Sequence, residues 1–160
     1  MSNRLMVVLG SGGHTKEMIR VVELLGGGYT YCYLVAADDE LSPLKIQVPG
    51  PVYRVVRPRW KSTGAVAVTA RTVLSTVQAA VALLRCRPRA IMSTGPGPAV
   101  PASLVAKLLG IKVIYIETGS RVFALSASGK ILYRFADLFF VQWPDLQSLY
   151  PKAIYAGRLW

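Results

Sequence analysis

The feature that most limits how this chain can fold is its alternation of short, continuous apolar runs with longer segments of helical periodicity. The runs at 5–9, 31–36, 52–56, 90–93, 113–116, 138–141 and 153–155 read as strands. Most lack the in-out alternation of a strand with one wet face, so they are expected to be buried on both sides. Between them, residues 15–25, 63–84, 101–109, 129–135 and 144–149 read as helices. Buried strands separated by helices imply a parallel, doubly wound α/β sheet with right-handed crossovers and helices on both faces. The 160 residues suit one domain spanning 1–160.

The segment 63–84 is the best candidate for a membrane span, yet it includes Arg71, Gln78 and several hydroxyl side chains. Val66, Val73, Leu74, Val77, Val81 and Leu84 recur at helical spacing while the polar residues gather elsewhere. The pattern predicts an amphipathic helix packed through those large residues on the sheet. The N-terminus runs straight into the first strand, the pattern of neither a signal peptide nor an anchor. Cys32 and Cys86 lie far apart, with no CxxC or Cys/His spacing, so neither a disulfide framework nor a structural zinc site is expected and a reducing cytoplasm is the default.

Charge is unevenly placed. Residues 41–116 contain eleven Lys and Arg and no acid, and this block accounts for the whole net charge of +11. Such an excess predicts an anionic partner: acidic lipid, a phosphorylated substrate or nucleic acid. Within the block, Arg57, Arg59, Trp60 and Lys61 form a basic-aromatic cluster suited to anionic headgroups, though such runs also suit single-stranded nucleic acid.

In a doubly wound sheet, ligands bind at the carboxyl ends of the strands. Three loops there carry chemistry. Gly10-Ser11-Gly12-Gly13-His14-Thr15 follows the first strand and opens a helix, offering backbone N–H groups to an anion. It matches neither the P-loop nor the full dinucleotide fingerprint, because Thr15 stands where the third glycine belongs. Asp38 and Asp39 at the end of the second strand leave a nicotinamide-binding domain as an alternative. His14, the only histidine, starts a helix whose dipole disfavours the imidazolium form, which suits it as acceptor or base. The second loop, Ser93-Thr94-Gly95-Pro96-Gly97-Pro98, can line the same ligand. The third, Glu117-Thr118-Gly119-Ser120-Arg121, puts a carboxylate at a strand end, a place for a general base, with an arginine to bind phosphate or hold that carboxylate.

The run Glu117 to Arg121, the segments 124–133, 136–139 and 141–144, Tyr150-Pro151-Lys152-Ala153 and 155–159 closely resemble the Alg-fourteen-like oligosaccharide biosynthesis family. Gly12-Gly13-His14-Thr15 with Glu17-Met18 matches its glycine-glycine-histidine turn. The resemblance implies the N-terminal, acceptor-side half of a GT-B glycosyltransferase, with a separate small subunit supplying the UDP-sugar-binding half. The peptidoglycan N-acetylglucosaminyltransferase looks like the fused version. Eukaryotic members carry an N-terminal anchor, whereas here the first strand begins almost at Met1. Peripheral docking on the cytoplasmic face through the basic-aromatic cluster is therefore expected in its place, in a bacterial polysaccharide setting.

The implied reaction is an inverting transfer from a UDP-sugar to a polyprenyl-diphosphate-linked acceptor, needing neither metal nor other cofactor, by a pair of subunits inactive when separated. Its expected base is Glu117, with His14 second. Ser11, Gly12, Gly13, Thr15, Thr94, Gly95 and Gly97 are expected to line the acceptor site, and Arg121 to bind the lipid diphosphate or orient Glu117.

Overall fold

A computed structural model of the chain describes residues 3–58 and 64–159. Seven strands, β1 (Arg4–Val8), β2 (Thr30–Ala36), β3 (Val52–Val55), β4 (Ala90–Ser93), β5 (Lys112–Ile116), β6 (Leu138–Val141) and β7 (Ile154–Tyr155), form one sheet. Its order is β3-β2-β1-β4-β5-β6-β7, and every neighbouring pair is parallel. Five helices accompany it: α1 (Gly13–Leu25), α2 (Ala65–Cys86), α3 (Ala99–Leu108), α4 (Ala127–Leu132) and α5 (Pro144–Leu149). Observed boundaries lie within two residues of those read from the sequence, except that α4 ends at Leu132 instead of 135. The Ala136 N–H bonds the Leu132 carbonyl there, and the chain turns.

The strands are apolar at successive positions because both faces of the sheet are covered. Alternate residues of β1 enter opposite cores: Leu5 and Val7 pack under α1, whereas Met6 and Val8 pack under α2 and α3. A third cluster, with Tyr115, Phe139 and Val141, lies under α4 and α5. Strand order reverses between β1 and β4, so the loops leaving those two strands stand at the switch point of the carboxyl edge, the crevice position of a doubly wound sheet.

Two expectations fail. In α2 the large residues do not face the sheet: Val66, Val73, Leu74, Val77, Val81 and Leu84 are 42–86% exposed. The buried face is made instead by Ser75, Ala79, Ala82, Leu83 and Cys86. These mostly small side chains let α2 approach α3 and the sheet closely, so the larger aliphatic stripe is left outside. Among the described helices, only α2 is long and apolar enough to cross a membrane by length and composition. The helix stops at Arg87, which takes the left-handed conformation (φ 49°), and Pro88 follows. The second correction concerns the cysteines. Cys32 in the middle of β2 and Cys86 at the last turn of α2 meet in the same core, 6.8 Å apart at Cα, and are joined in a disulfide. Their separation of 54 residues concealed a proximity that the βαβ crossover creates.

Candidate functional site

The first and second loops meet in the crevice. A Cβ on Gly10 would collide with Pro96, so glycine is what lets the β1 and β4 loops touch. Gly12 sits at φ 71°, a backbone that side chains with a Cβ rarely adopt, and turns the chain into α1. No side chain caps α1, so its first N–H groups face outward beside the exposed Ser11, Gly12 and Gly13. Beside this loop lies an open depression of about 940 Å³, bordered by Gly12, Gly13, Lys16, Arg20, Lys45 and Leu159.

His14 stands between the two loops, half-buried. Its Nδ1 lies 3.0 Å from Thr94 Oγ1, and the Thr94 hydroxyl donates to the His14 carbonyl at 3.4 Å. With that hydroxyl hydrogen directed at the carbonyl, the Thr94 oxygen is left to accept, which places the ring proton on Nδ1 and the free lone pair on Nε2. Among the described residues Nε2 has no partner. Burial lowers the ring's proton affinity below the ordinary 6.5, against opposing pulls from Glu17 and Thr94. The neutral ring is thus the resident form at neutral pH.

Other expected residues fall differently. Thr15 is buried and does not line the crevice: its hydroxyl donates to the Gly10 carbonyl and lies 2.6 Å from Ser42 Oγ. Ser42 is held in turn by Asp39, whose two oxygens accept from its N–H and hydroxyl. Asp38 pairs with Arg57 at 3.0 Å. Neither acid is free for a ribose, so the feature that kept a nicotinamide site open is absent. Gly95 lies at φ 92°, where an added Cβ would stand 2.6 Å from the Tyr115 hydroxyl, and the exposed Gly97 borders Arg57 and Pro58. Arg59, Trp60 and Lys61 lie outside the described residues.

Glu117 has no exposed surface. Its Oε2 accepts from the Ser126 N–H (2.9 Å) and hydroxyl (3.1 Å), and its Oε1 from the Thr118 N–H (3.1 Å) and the Tyr115 hydroxyl (3.3 Å). A Cβ at Gly129 would collide with Oε2. The carboxyl thus ties the end of β5 to Ser126, the residue that caps α4. Arg121 is exposed on the loop and makes no ion pair with Glu117, because the carboxyl is turned inward while the Thr118–Arg121 turn carries the guanidinium outward. The sequence reading missed Glu17 as a site residue, along with Gln142. The signal available was an acid on the otherwise apolar face of α1. No group of three or more His, Cys, Asp or Glu among the described residues is placed to hold a metal.

Known proteins resemble the chain in both sequence and fold. The sequence model described as "Oligosaccharide biosynthesis protein Alg14 like" matches residues 5–159. The UDP-N-acetylglucosamine transferase subunit ALG14 of Mus musculus is 37% identical over 186 residues, covering 99% of this chain and 83% of that protein. Its Homo sapiens counterpart is 36% identical over 183 residues, covering 97% and 82%. Among solved structures, Acinetobacter baumannii MurG superposes with a TM-score of 0.74 at 20% identity, over 99% of this chain but only 44% of its own. A UDP-N-acetylglucosamine 2-epimerase gives 0.76 at 15% identity, over 99% and 49%. At those identities the likeness is one of fold, and it matches this Rossmann-like sheet to about half of each longer chain. With the family model spanning nearly the whole sequence, the chain belongs to the Alg14-like oligosaccharide biosynthesis family.

Proposed function

We propose that this chain is the acceptor-binding subunit of a UDP-sugar-dependent glycosyltransferase, acting on a polyprenyl-diphosphate-linked sugar at the cytoplasmic face of a membrane. The observation that carries the reading is the free Nε2 of His14, at the sheet's switch point beside an uncapped helix N-terminus. An acceptor hydroxyl placed there would lose its proton to Nε2 as its oxygen attacks the anomeric carbon of the UDP-sugar and UDP leaves with the bonding electrons. Sealing of Glu117 under four donors argues for His14 as the base, reversing the order expected from sequence. The uncapped N–H groups of α1, with Lys16 nearby, suit the acceptor's diphosphate. Arg121, exposed on the loop after β5, is a second candidate for that charge.

The UDP-sugar-binding half is assigned to a separate small subunit, a reading supported by the relatives' description as transferase subunits and by the span of this chain on MurG. Membrane contact is assigned to the exposed stripe of α2. Exposed Arg85, Arg87 and Arg89 lie at its C-terminal end and Arg57 precedes its N-terminal end, a combination suited to an in-plane helix on anionic lipid. The deciding experiment mixes the purified chain with the UDP-sugar-binding subunit encoded in the same genome, UDP-N-acetylglucosamine and a polyprenyl-diphosphate-linked sugar. Transfer is expected only when both subunits are present. Sustained turnover by this chain alone would refute the two-subunit reading.

A further inference from the structure

Glu17 is a buried acid that this mechanism leaves unused. It lies on α1 one turn after His14, with no exposed surface. An acid wholly inside a protein is costly unless donors converge on it. Three do, all on Oε1: the Gly119 N–H at 2.7 Å, the Gln142 amide at 3.0 Å and the Thr118 hydroxyl at 3.1 Å. They come from the turn after β5 and the end of β6. Gln142 also donates to the Glu117 carbonyl and accepts from the Leu159 N–H, so the network reaches the C-terminal segment. The second oxygen, Oε2, is buried without a partner. If filling the space under α1 were the only need, an apolar side chain would meet it at least as well.

We propose that Glu17 is a positioning residue of the crevice: it fastens the Thr118–Gly119 turn to the first turns of α1 and places a negative charge beside the His14 ring. Spacing of i, i+3 puts the two side chains on one flank of the helix. From the loop after β4, Thr94 meets the ring through its hydroxyl and its backbone. Lys16, next in sequence, is exposed, and Arg57, bordering Gly97, is turned toward Asp38. Glu17 is thus the charge that opposes the effect of burial on the ring. Fastening the 118–121 turn also fixes where Arg121 stands. The kinetic consequences rest on the reading of His14 as proton acceptor, whereas the placement of turn and charge does not.

Because His14 is the only histidine, its ring gives a single resonance to titrate in the isolated chain. In Glu17→Gln the side chain keeps an acceptor oxygen and its shape but loses its charge. The His14 midpoint is expected to fall by about 0.5–1 pH unit, a threefold to tenfold change in acidity. An unmoved midpoint in folded Glu17→Gln would overturn the proposal. Thr118→Val keeps the charge and removes one donor, so the midpoint should hold at the wild-type value. In the reconstituted pair, this variant should raise the acceptor KM about threefold to tenfold with kcat nearly unchanged. Unchanged KM would overturn the positioning role, and this variant serves alone if Glu17→Gln fails to fold. Inactivity of the wild-type pair would instead refute the acceptor reading, leaving the titration as an intact test of Glu17.

Discussion

Glu117→Gln separates a structural carboxyl from a catalytic one. Wild-type Glu117 accepts on both oxygens, with a backbone N–H at each: Ser126 on one and Thr118 on the other. Glutamine has a single oxygen, so in either orientation its NH₂ group points at one of those N–H donors. Losing a charge-assisted bond costs about 1.5–3 kcal/mol, and leaving a buried donor unmet costs about 1–3 kcal/mol. Relief from burying a charge offsets part of this, leaving a net loss of about 2–3 kcal/mol. In a chain of this length that is a fall of roughly 5–10 °C in Tm. Burial raises the Glu117 carboxyl above its ordinary 4.5, against the pull of the Ser126, Thr118 and Tyr115 donors. The folded state therefore holds this proton to higher pH than the unfolded chain. Its contribution to stability is fully present below pH 4.5 and is lost as pH rises through the folded value. The stability gap between wild type and variant should accordingly widen as pH falls from 7 toward 5. Urea denaturation followed by tryptophan fluorescence at both pH values measures it. An unchanged urea midpoint, together with a hundredfold loss of kcat in the reconstituted pair, would show that Glu117 meets substrate and that the strut argument is wrong.

Two further outcomes follow from parts of the fold away from the crevice. Val77→Ser combined with Leu84→Ser should weaken binding to anionic vesicles by roughly 30-fold, at about 1 kcal/mol for each partly inserted side chain, while Tm stays put because both residues face outward. Undiminished sedimentation with vesicles would remove α2 from the docking surface. The Cys32–Cys86 bond closes a separation of 54 residues, for which chain entropy gives about 4 kcal/mol, so a reductant should lower the urea midpoint. Thiol titration of the unreduced, denatured chain should find no free thiol, and two would refute the pairing.

The strands were legible in the sequence because burial on both faces writes itself as a continuous apolar run, as in Leu5 to Leu9. The glycine turn was legible too, as a tight strand-to-helix junction: Gly12 takes the positive φ that such a turn needs and Gly13 opens α1. What was lost is direction. Periodicity in α2 marked an aliphatic stripe correctly but could not say that Ala79 and Ala82, on the opposite side, would be the ones to touch protein. Glu117 and Arg121 share a loop, yet the donors that decide where the carboxyl turns, Ser126 and Tyr115, lie outside it. Cys32 and Cys86 meet through a crossover whose path only the assembled sheet reveals. Glu17 shows the same limit, since its three donors stand more than a hundred residues away in sequence.

In the membrane contact proposed for it, the outward stripe of α2 would also fix an orientation. This helix has 22 residues, a rod of about 33 Å. It leaves the carboxyl edge after β3 and returns to the amino edge before β4, so it lies antiparallel to the strands. With the stripe resting flat on a bilayer, the strands run alongside the surface, and the crevice at their ends opens sideways along the headgroup layer. A polyprenyl-linked acceptor would then arrive by lateral diffusion, its tail still among the acyl chains and its diphosphate at the depth of its neighbours' phosphates. On the proposed reading the search for substrate would become two-dimensional, with no lipid lifted out of the membrane for its sugar to reach His14.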